Sequence, residues 1–587
     1  MQPNRTRRPA ALIASGQNPS GPDSSGNDLS ADAGPVFRDY RAPGGDGEVV
    51  FDPPASQIAD QVRMGVAIGR DGDDQFGSLR AVARDQVLRD ARHYSSRYRD
   101  VPSPTLSASG HSENADVDAN GDVARPVIMS GHQPTLFHPG VWLKNFALDR
   151  LASMHDADAV NLVVDNDVAP SPSIRVPTRH LKTDRLGWAT VAYDRSGGGV
   201  PFEQTRINDR NFFATFDARV RNELIGVVDD PMVHRLWDHA RTAIGRCDVA
   251  ACALAQARHA IEGEMGLSTL ELPMSVVARS FAFGSFVGRI LSDLGRFVKI
   301  YNRQTEVYRV AHGVRSAAHP VPNLRIENGW FECPLWLYGD DSPNRRPVWA
   351  RRIGDTIELG DPDGETVCLP IGGGADDPDT DRSDDFGHAW HDHCCTKFKL
   401  RPRALLTTMY ARLILSDLFI HGIGGGKYDQ LGDLILGEFF DLRRCPPFLV
   451  VSATVHLPTP DDAIGSAASL DQQRRECLRM LRDTRYQPER FADDLDRTGR
   501  DLVDHKRTLL ESIPPAGKRK RWHDRIDAIN RDLFDRLAER RAAISNRLHR
   551  NALHQAERRI LNSREHPFAI YPLEHLRAKF EDLVQRF

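Results

Sequence analysis

The sequence predicts an α/β protein built on a parallel sheet, followed by an antiparallel helical hairpin. The apolar residues 127–129 lead into Ser-Gly-His-Gln-Pro, and a helical pattern begins near residue 139, which indicates a strand, a tight turn and a helix. A second apolar segment, 159–164, is nearly continuous, as is typical of strands buried on both faces of a parallel sheet. Between residues 522 and 548, apolar side chains recur at spacings of three, four or seven, which predicts a coiled-coil seam.

Composition narrows the class of protein. The 587 residues predict roughly two to four domains. The 77 basic and 81 acidic residues nearly balance, and the one short basic run, 518–521, is typical of an exposed helix start, so we expect no nucleic-acid partner. No apolar run approaches the roughly 18–20 residues of a membrane span, and the first residues lack a signal peptide's apolar core. We therefore expect a cytoplasmic protein without a membrane partner, whose eight cysteines are reduced thiols.

Changes in composition along the chain divide it into six predicted regions. Gly, Pro, Ser and Asp dominate the first of them, which buries too little apolar surface to offset its chain entropy. The regions are a disordered N-terminal extension (1–56), a helical segment with a linker (57–125), the first part of the α/β core (126–300), an inserted segment with antiparallel strands and a flexible loop (301–399), the second part of the core (400–460), and a helical coiled coil whose tail docks on the core (461–587).

Polar residues follow both predicted core strands. Gly131, His132 and Gln133 end the first strand, and the acidic loop Asp165–Asp167 ends the second. Right-handed crossovers place both turns at the same edge of a parallel sheet, where ligands bind in such folds. Histidine at a helix head carries a proton or binds phosphate, and the acidic loop suits Mg²⁺ or an amine. The alternatives are turn histidines satisfied by backbone groups and an Asx turn.

A glycine-rich segment opens a later predicted helix. A predicted helix over 404–420 leads to Gly422, and Gly424, Gly425, Gly426 and Lys427 follow. Such a backbone-rich loop can cradle a phosphate, although its spacing matches neither the P-loop nor GxGxxG. A glycine-rich turn between two helices explains the pattern equally well.

A dense cluster of histidine and cysteine side chains lies further upstream. Zinc ligation is one hypothesis for this cluster. Its ligands are too crowded to reach one tetrahedral centre together, so we favour a solvated histidine cluster in a lid-like loop and predict no metal site. The residues concerned are His388, His391, His393, Cys394 and Cys395.

These segments resemble, in matching order, the motifs of the bacillithiol biosynthesis cysteine-adding enzymes. The resemblance extends over roughly 126–587, and the predicted C-terminal helical hairpin belongs to it. The three motif segments are GHQPTLFHPGVWLKNFAL (131–148), NLVVDND (161–167) and LRPRALLTTMYARLILSDLFIHGIGGG (400–426).

The resemblance implies a Rossmann-like core with inserted connective segments and a C-terminal coiled coil through which two copies dimerise. It implies a ligase that joins the carboxyl group of cysteine to the amine of glucosaminyl-malate after activation by ATP. Asn166 stands where the family usually has histidine, and His138 and Lys427 also depart from its pattern, which indicates a divergent member. The residues carried over from the family motifs are His132, Gln133, Asp165, Asp167, Arg401, Arg403, Gly424 and Gly426.

The predicted function is therefore an ATP-dependent ligase, assisted by Mg²⁺, that acts on an amino acid and an amino-sugar conjugate. His132, the glycine-rich backbone and the pair Arg401 and Arg403 are expected to hold phosphate, and Asp165 or Asp167 is expected to deprotonate or orient the amine. Two alternatives stay open: a nucleotidyltransferase with its histidine turn at a helix head, and a non-catalytic scaffold whose working part is the coiled coil.

Overall fold

The computed structural model shows a mixed α/β protein. It describes residues 37–69, 75–101, 125–180, 182–195, 198–371, 381–393, 398–458 and 466–587. Within these ranges the strands are β1 (Glu48–Asp52), β2 (Val127–His132), β3 (Asp158–Val163), β4 (Ser173–Arg179), β5 (Leu186–Ala192), β6 (Leu270–Pro273), β7 (Ile326–Glu327), β8 (Trp330–Tyr338), β9 (Arg346–Ile353), β10 (Thr356–Gly360), β11 (Thr366–Pro370), β12 (Lys399–Pro402), β13 (Leu418–His421) and β14 (Phe448–Thr454).

Helices cover both faces of the main sheet and form the C-terminal part of the chain. They are α1 (Ala55–Gly69), α2 (Gly77–Ser96), α3 (Pro139–Met154), α4 (Arg210–Ala214), α5 (Phe216–Glu223), α6 (Val233–Ala243), α7 (Ala250–Glu264), α8 (Met274–Val277), α9 (Phe281–Ser292), α10 (Leu294–His312), α11 (Asp381–His393), α12 (Ala404–Tyr410), α13 (Ile423–Phe439), α14 (Ala467–Tyr486), α15 (Arg497–Glu511), α16 (Lys520–Arg536), α17 (Ala538–Leu561) and α18 (Leu573–Val584). None of these described helices has both the length and the apolar character needed to cross a membrane.

The main sheet contains six strands in the order β1-β14-β13-β2-β3-β6. Every neighbouring pair from β14 to β6 is parallel, as the sequence predicted, and only β1 is antiparallel to its neighbour β14. From β2 the chain adds β3 and then β6 on one side, and it later adds β13 and β14 on the other side. The strand order therefore switches direction between β2 and β13.

The central strand β2 shows why its sequence is continuously apolar. Ile128 packs into one hydrophobic core, with α3, α6, α7 and α18, whereas Met129 packs into a second core on the opposite face, with α2, α9, α10 and α13. Successive side chains of a strand point to opposite faces, so a strand covered by helices on both faces needs apolar residues at every position. Neither side chain has measurable exposure.

A second sheet is antiparallel. Its strand order is β11-β10-β9-β8-β12, and the short strand β7 pairs with the first two residues of β8, Trp330 and Phe331. Strand β12 pairs with β8 from Lys399 to Pro402 and forms the last strand of this sheet. The chain then continues into the second part of the core. The hairpin of β4 and β5 is a separate two-stranded unit that the sequence analysis did not predict.

Part of the predicted disordered extension, 1–56, is ordered. Residues 37–56 are described, and β1 within them pairs along its whole length with β14, while residues 1–36 lie outside the described part of the chain. The sequence Glu-Val-Val-Phe-Asp suits an edge strand once a partner is available. Its Phe51 ring also packs against Phe587, with 4.3 Å between ring centroids. Composition could not reveal either partner, because both lie far along the chain from β1.

Two further expectations change. The predicted helix 404–420 is α12 followed by a wider π-type turn, and the chain then enters β13 at residue 418. The flexible loop predicted in the inserted segment gives way at Asp381 to α11, whose Trp390 is fully buried and donates from its indole nitrogen to Ala278 O at 2.9 Å. Residues 372–380 of that loop lie outside the described ranges.

Candidate functional site

The ends of the parallel strands meet at one edge of the main sheet. His132 ends β2 and His421 ends β13, on the two sides of the point where the strand order switches. Helix α3 leaves this edge over one face of the sheet, and α13 leaves it over the other face. Open α/β sheets bind ligands in this kind of crevice, outside the carboxyl ends of the strands. The candidate site is therefore the β2–β13 crevice.

Lys144 of α3 lies between the end of β2 and the head of α13. Its Nζ donates to the carbonyl oxygen of Gly131 at 2.8 Å, and its side chain is almost fully buried. Its Cδ atom lies 3.9 Å from where a Cβ atom at Gly422 would stand, so the head of α13 is next to it. Burial, assisted by the charge of Arg258, lowers the pKa of Lys144 to about 7. The amine can therefore gain or lose a proton near neutral pH.

Lys144 was not among the predicted site residues, although it lies within the motif segment 131–148. A lysine within an amphipathic helix is ordinarily solvent-facing. Its neighbours in the sequence could have indicated burial. The residues on either side of it are all buried, namely Trp142, Leu143, Asn145 and Phe146. A helix that is buried around most of its circumference has no solvent face to which a lysine could point.

Two histidines flank the turn between β2 and α3, and both are neutral. His132 is half-buried; its Nδ1 lies 3.0 Å from Gln133 O and must donate there, which leaves Nε2 as a proton acceptor. Burial lowers the pKa of His132 to about 3 and that of His138 to about 4, and the nearby Lys144 adds to both shifts. His138 Nδ1 is buried without a hydrogen-bond partner among the described residues.

The acidic loop after β3 lies against the turn after β2. Gln133 Nε2 donates to Asp167, which also forms an ion pair with Arg345 at 2.9 Å. Asp165 accepts hydrogen bonds from the backbone nitrogen of Ser275 at 2.8 Å and from its hydroxyl at 2.5 Å. These bonds join the ends of β2, β3 and β6 in one layer of polar side chains.

Asp165 titrates unlike an ordinary carboxyl group. Burial is the main cause that raises its pKa to about 7, and the nearby Glu203 carboxylate adds to the effect. Hydrogen bonds from Ser275 and the charge of Arg401 act in the opposite direction. A carboxyl group that is half-protonated near neutral pH can serve as a general base or acid.

Arg401 and Arg403 do not take the predicted positions. Arg401 forms a bidentate ion pair with Glu203 at 2.8 and 3.1 Å, and Arg403 pairs with Glu332 at 2.6 Å. Both arginines are buried. The structure therefore differs from the expectation that they hold a phosphate, because each guanidinium group is already neutralised by a carboxylate, Glu203 at 12% exposure and Glu332 in the core. They instead support the acidic loop, since Asn166 Nδ2 donates to Pro402 O between them at 2.7 Å.

The glycine-rich segment forms the head of α13. Gly422 caps the helix, and a Cβ atom added at Gly424 would meet no atom within 4 Å. Gly426 packs against β14, where an added Cβ would stand 2.3 Å from Val450. Lys427 differs from its predicted role, because its amine pairs with Asp39 at 3.2 Å on a partly exposed surface away from the crevice.

His421 and Asp429 form a buried pair that the sequence analysis also missed, because it did not predict β13. His421 Nε2 lies 2.5 Å from Asp429 Oδ2, and Asp429 is held further by Thr408 at 2.6 Å and Arg412 at 3.1 Å. Burial alone would raise the pKa of Asp429, but His421 and Arg412 outweigh it and hold this pKa well below its usual range. The pair fixes the orientation of the imidazole at the end of β13.

A buried charge cluster lies directly behind Lys144. Arg258 of α7 pairs with Glu262 at 2.8 Å and also with Glu271 of β6, and all three side chains are at most 5% exposed. Glu262 Oε1 also accepts from the Trp142 indole at 2.6 Å and from Asn145 Nδ2 at 2.7 Å. The cluster thus holds the turn of α3 that carries Lys144.

Comparison with known proteins does not assign this chain to a family. A scan against protein-family models and a search of curated proteins each give no match to this chain. Function is accordingly inferred from the chemistry of the crevice.

The described histidines of the cluster for which zinc was one hypothesis make other contacts. His391 and His393 each use Nδ1 to bond a backbone carbonyl at 2.8 Å, and His388 packs against Phe281. Cys394 and Cys395 lie outside the described residues. Among the residues that are described, no three His, Cys, Asp or Glu side chains form a group that could hold a metal ion.

Two glycines in the first turn of α13 provide a matched pair of substitutions. A Cβ atom at Gly425 would stand 2.6 Å from His421 Nδ1, so Gly425→Ala is expected to displace the imidazole and to lower stability by about 1–3 kcal/mol. Gly424→Ala meets open space and should be neutral or stabilising by about 0.5–1 kcal/mol. Urea denaturation of both variants checks the expectation, and equal effects would contradict it.

Proposed function

We propose that this protein is an ATP-dependent ligase. It joins the carboxyl group of cysteine, or of another amino acid, to the amine of an amino-sugar conjugate, as in bacillithiol-type thiol biosynthesis. The observation that carries the proposal is the convergence of the Lys144 amine, the head of α13 and the Asp165 carboxyl group at the edge of the sheet where the strand order switches. Such a ligase needs an anion site next to a proton acceptor.

The first half of this requirement is the anion site. The first-turn N–H groups of α13 lack helical partners and carry the positive end of the helix dipole. Lys144 can add a full charge beside them, since its pKa lies near 7 and an arriving anion favours the protonated form. The open space at Gly424 leaves the backbone approachable there. These groups suit the phosphates of ATP, which, when bound, supplies the activation of the carboxyl group.

The second half is proton transfer from the attacking amine. An ammonium group must lose a proton before its nitrogen can attack a carbonyl carbon. Asp165 has its pKa near 7, and it lies in the acidic loop whose Asp167 accepts a hydrogen bond from Gln133 of the β2 turn. It is therefore the proposed base. His132 keeps Nε2 as a neutral acceptor and is the proposed group that orients the substrate.

The described residues do not fit a protein-held Mg²⁺. Both Asp165 oxygens accept hydrogen bonds from Ser275, and Asp167 is shared between Gln133, Arg345 and the backbone of Val168. A hard cation needs several free oxygen ligands. We therefore assign no step to a metal ion bound by this loop.

We propose that the main sheet is Rossmann-like and that α14–α17 form a dimerising coiled coil. The five parallel strands and their switch at β2 support the first part. The second is supported by apolar side chains that are more than 40% exposed, namely Leu478, Tyr486 and Leu510 on these helices and Ile513 in the connection between α15 and α16. Light scattering checks it, and a monomer mass would exclude the dimer.

Ligand-dependent thermal unfolding tests the ligase. The melting temperature is measured with ATP, ADP, cysteine and glucosaminyl-malate, and the products are then analysed for a new amide and for released ADP or pyrophosphate. Binding to the native state stabilises it by about 2.7 kcal/mol at a ligand concentration of 100 times Kd. We expect stabilisation by ATP, its loss in Lys144→Met, and its retention in Lys427→Met, whose lysine lies outside the crevice.

The same experiment separates the alternatives. Release of pyrophosphate without the amine, and without a new amide, would indicate a nucleotidyltransferase. No stabilisation by any of the four ligands would contradict both enzymes and favour a scaffold.

A further inference from the structure

The segment between α17 and α18 packs on the turn that follows β2. The backbone nitrogen of Phe568 donates to Phe137 O at 2.8 Å. His566 is fully buried, and its Nε2 donates to Ile560 O at 2.7 Å, which closes the chain around Arg564. The segment is thus fixed on the core, and it holds Arg564 near the carboxyl end of β14.

Arg564 bridges the end of β14 and the first turn of α3. Its Nη2 donates to Ser452 Oγ of β14 at 3.1 Å, and its side chain is 19% exposed. Ser452 Oγ in turn lies 3.5 Å from Gly140 O in α3. A Cβ atom at Gly140 would stand 3.1 Å from the ring of His138, whose Nδ1 is the buried atom without a partner described above. Arg564 therefore adjoins the histidine turn of the candidate site.

The positive charge of Arg564 has no buried carboxylate beside it. Among the described residues, its acidic neighbour within 4 Å is Glu565, at 3.6 Å and 71% exposed. Its Nε is buried and finds no hydrogen-bond partner in the described part of the chain. Burial lowers the pKa of Arg564, which the charge of Glu565 opposes, but a guanidinium group stays protonated near neutral pH. An anion that binds here would supply both the missing hydrogen bonds and the missing charge.

The other guanidinium groups at this edge of the sheet are already neutralised. Arg345, Arg401 and Arg403 lie 2.9, 2.8 and 2.6 Å from a carboxylate oxygen, respectively. Lys144 is only partly protonated near neutral pH, because its pKa is about 7. Arg564 therefore adds a permanent charge that these groups do not provide.

We propose that Arg564 is a phosphate-binding residue that the C-terminal segment contributes to the candidate site. The planar N–H groups of a guanidinium match two oxygens of a phosphate group. Ser452 is the positioning residue, since its hydroxyl holds the guanidinium in place. The inference rests on the proposed function in naming ATP as the source of the phosphate, whereas a site for free pyrophosphate does not require the ligase.

Isothermal titration of the full chain with pyrophosphate and with ATP at pH 7 tests the inference. Arg564→Gln should weaken binding about 10- to 100-fold, as the loss of a hydrogen bond to a charged group does. The control is Arg559→Gln, whose arginine is exposed in the last turn of α17, and it should bind like the wild type.

The two probes separate this inference from the ligase. Unchanged affinities in Arg564→Gln, or a wild type that binds neither probe, would overturn the inference. Binding of pyrophosphate but not of ATP, with its loss in Arg564→Gln, would support the phosphate site and contradict the ligase.

A footprint on the wild-type protein does not depend on how well a variant folds. Phenylglyoxal modifies accessible arginine side chains, and peptide mapping gives the extent of modification at each position. Pyrophosphate should protect Arg564 and leave the modification of Arg559 unchanged. Equal modification of Arg564 with and without pyrophosphate would overturn the inference. Thermal unfolding without ligand checks the fold of Arg564→Gln, and the footprint decides the question if that variant is unfolded.

Discussion

Replacing Arg258 with alanine is expected to lower the free energy of unfolding by about 3–5 kcal/mol. The guanidinium group neutralises Glu262 and Glu271, which have no measurable exposure. Without it, two carboxylates face each other in the core with no compensating charge. Urea denaturation at pH 8 measures the loss.

An exposed ion pair gives the matched control. Arg206 and Asp248 are 70% and 47% exposed and lie 2.6 Å apart, so Arg206→Ala should cost only about 0–1 kcal/mol. The loss in Arg258→Ala should also shrink at pH 5, because burial already raises the pKa of Glu271 to about 7 and acid protonates it. Equal losses in the two variants, or a larger loss at pH 5, would contradict the role of Arg258.

Lys144→Met is expected to remove ATP binding and one component of the pH dependence of stability. Unfolded Lys144 keeps its proton up to about pH 10.4, whereas the native residue loses it near pH 7. Between these values the unfolded chain binds more protons, so the stability of the wild type rises with pH. From pH 7 to pH 9 the wild type should gain roughly 2 kcal/mol more than the methionine variant.

Parallel urea titrations at both pH values measure this difference. Lys427→Met is the control, because its lysine is partly exposed and pairs with Asp39 at the surface. That variant should follow the wild-type pH profile. Parallel profiles for wild type and Lys144→Met would show that Lys144 does not change its protonation state in this range.

The local pattern of apolar residues was sufficient to predict the strands that are buried on both faces. Ile128 and Met129 pack on opposite sides of the sheet, and this two-sided burial is what makes the β2 sequence continuously apolar. The turn after β2 and the acidic loop after β3 follow from that assignment. Their contact through Gln133 and Asp167 could be anticipated because parallel strands end at one edge.

Ion pairs between distant parts of the chain could not be predicted from the sequence. The roles of Arg401 and Arg403 depend on Glu203 and Glu332, and the position of Lys427 depends on Asp39. Strand β13 has only four residues and follows a helical pattern without a break, so its period was too short to detect. For Arg401, Arg403 and Lys427, the ion-pair partner in the folded chain decides what each charge does.

The β1–β14 pairing also sets an order of events during synthesis on the ribosome. Glu48 of β1 emerges long before Thr454 of β14, its partner in the antiparallel ladder. The pairing therefore has to wait until β14 has been synthesised, and contacts of such long sequence separation are slow to form. Until then the edge of β14 offers unpaired backbone groups to other nascent chains, as exposed strand edges do. Once it pairs with β14, the short strand β1 covers that edge and protects the sheet from intermolecular pairing.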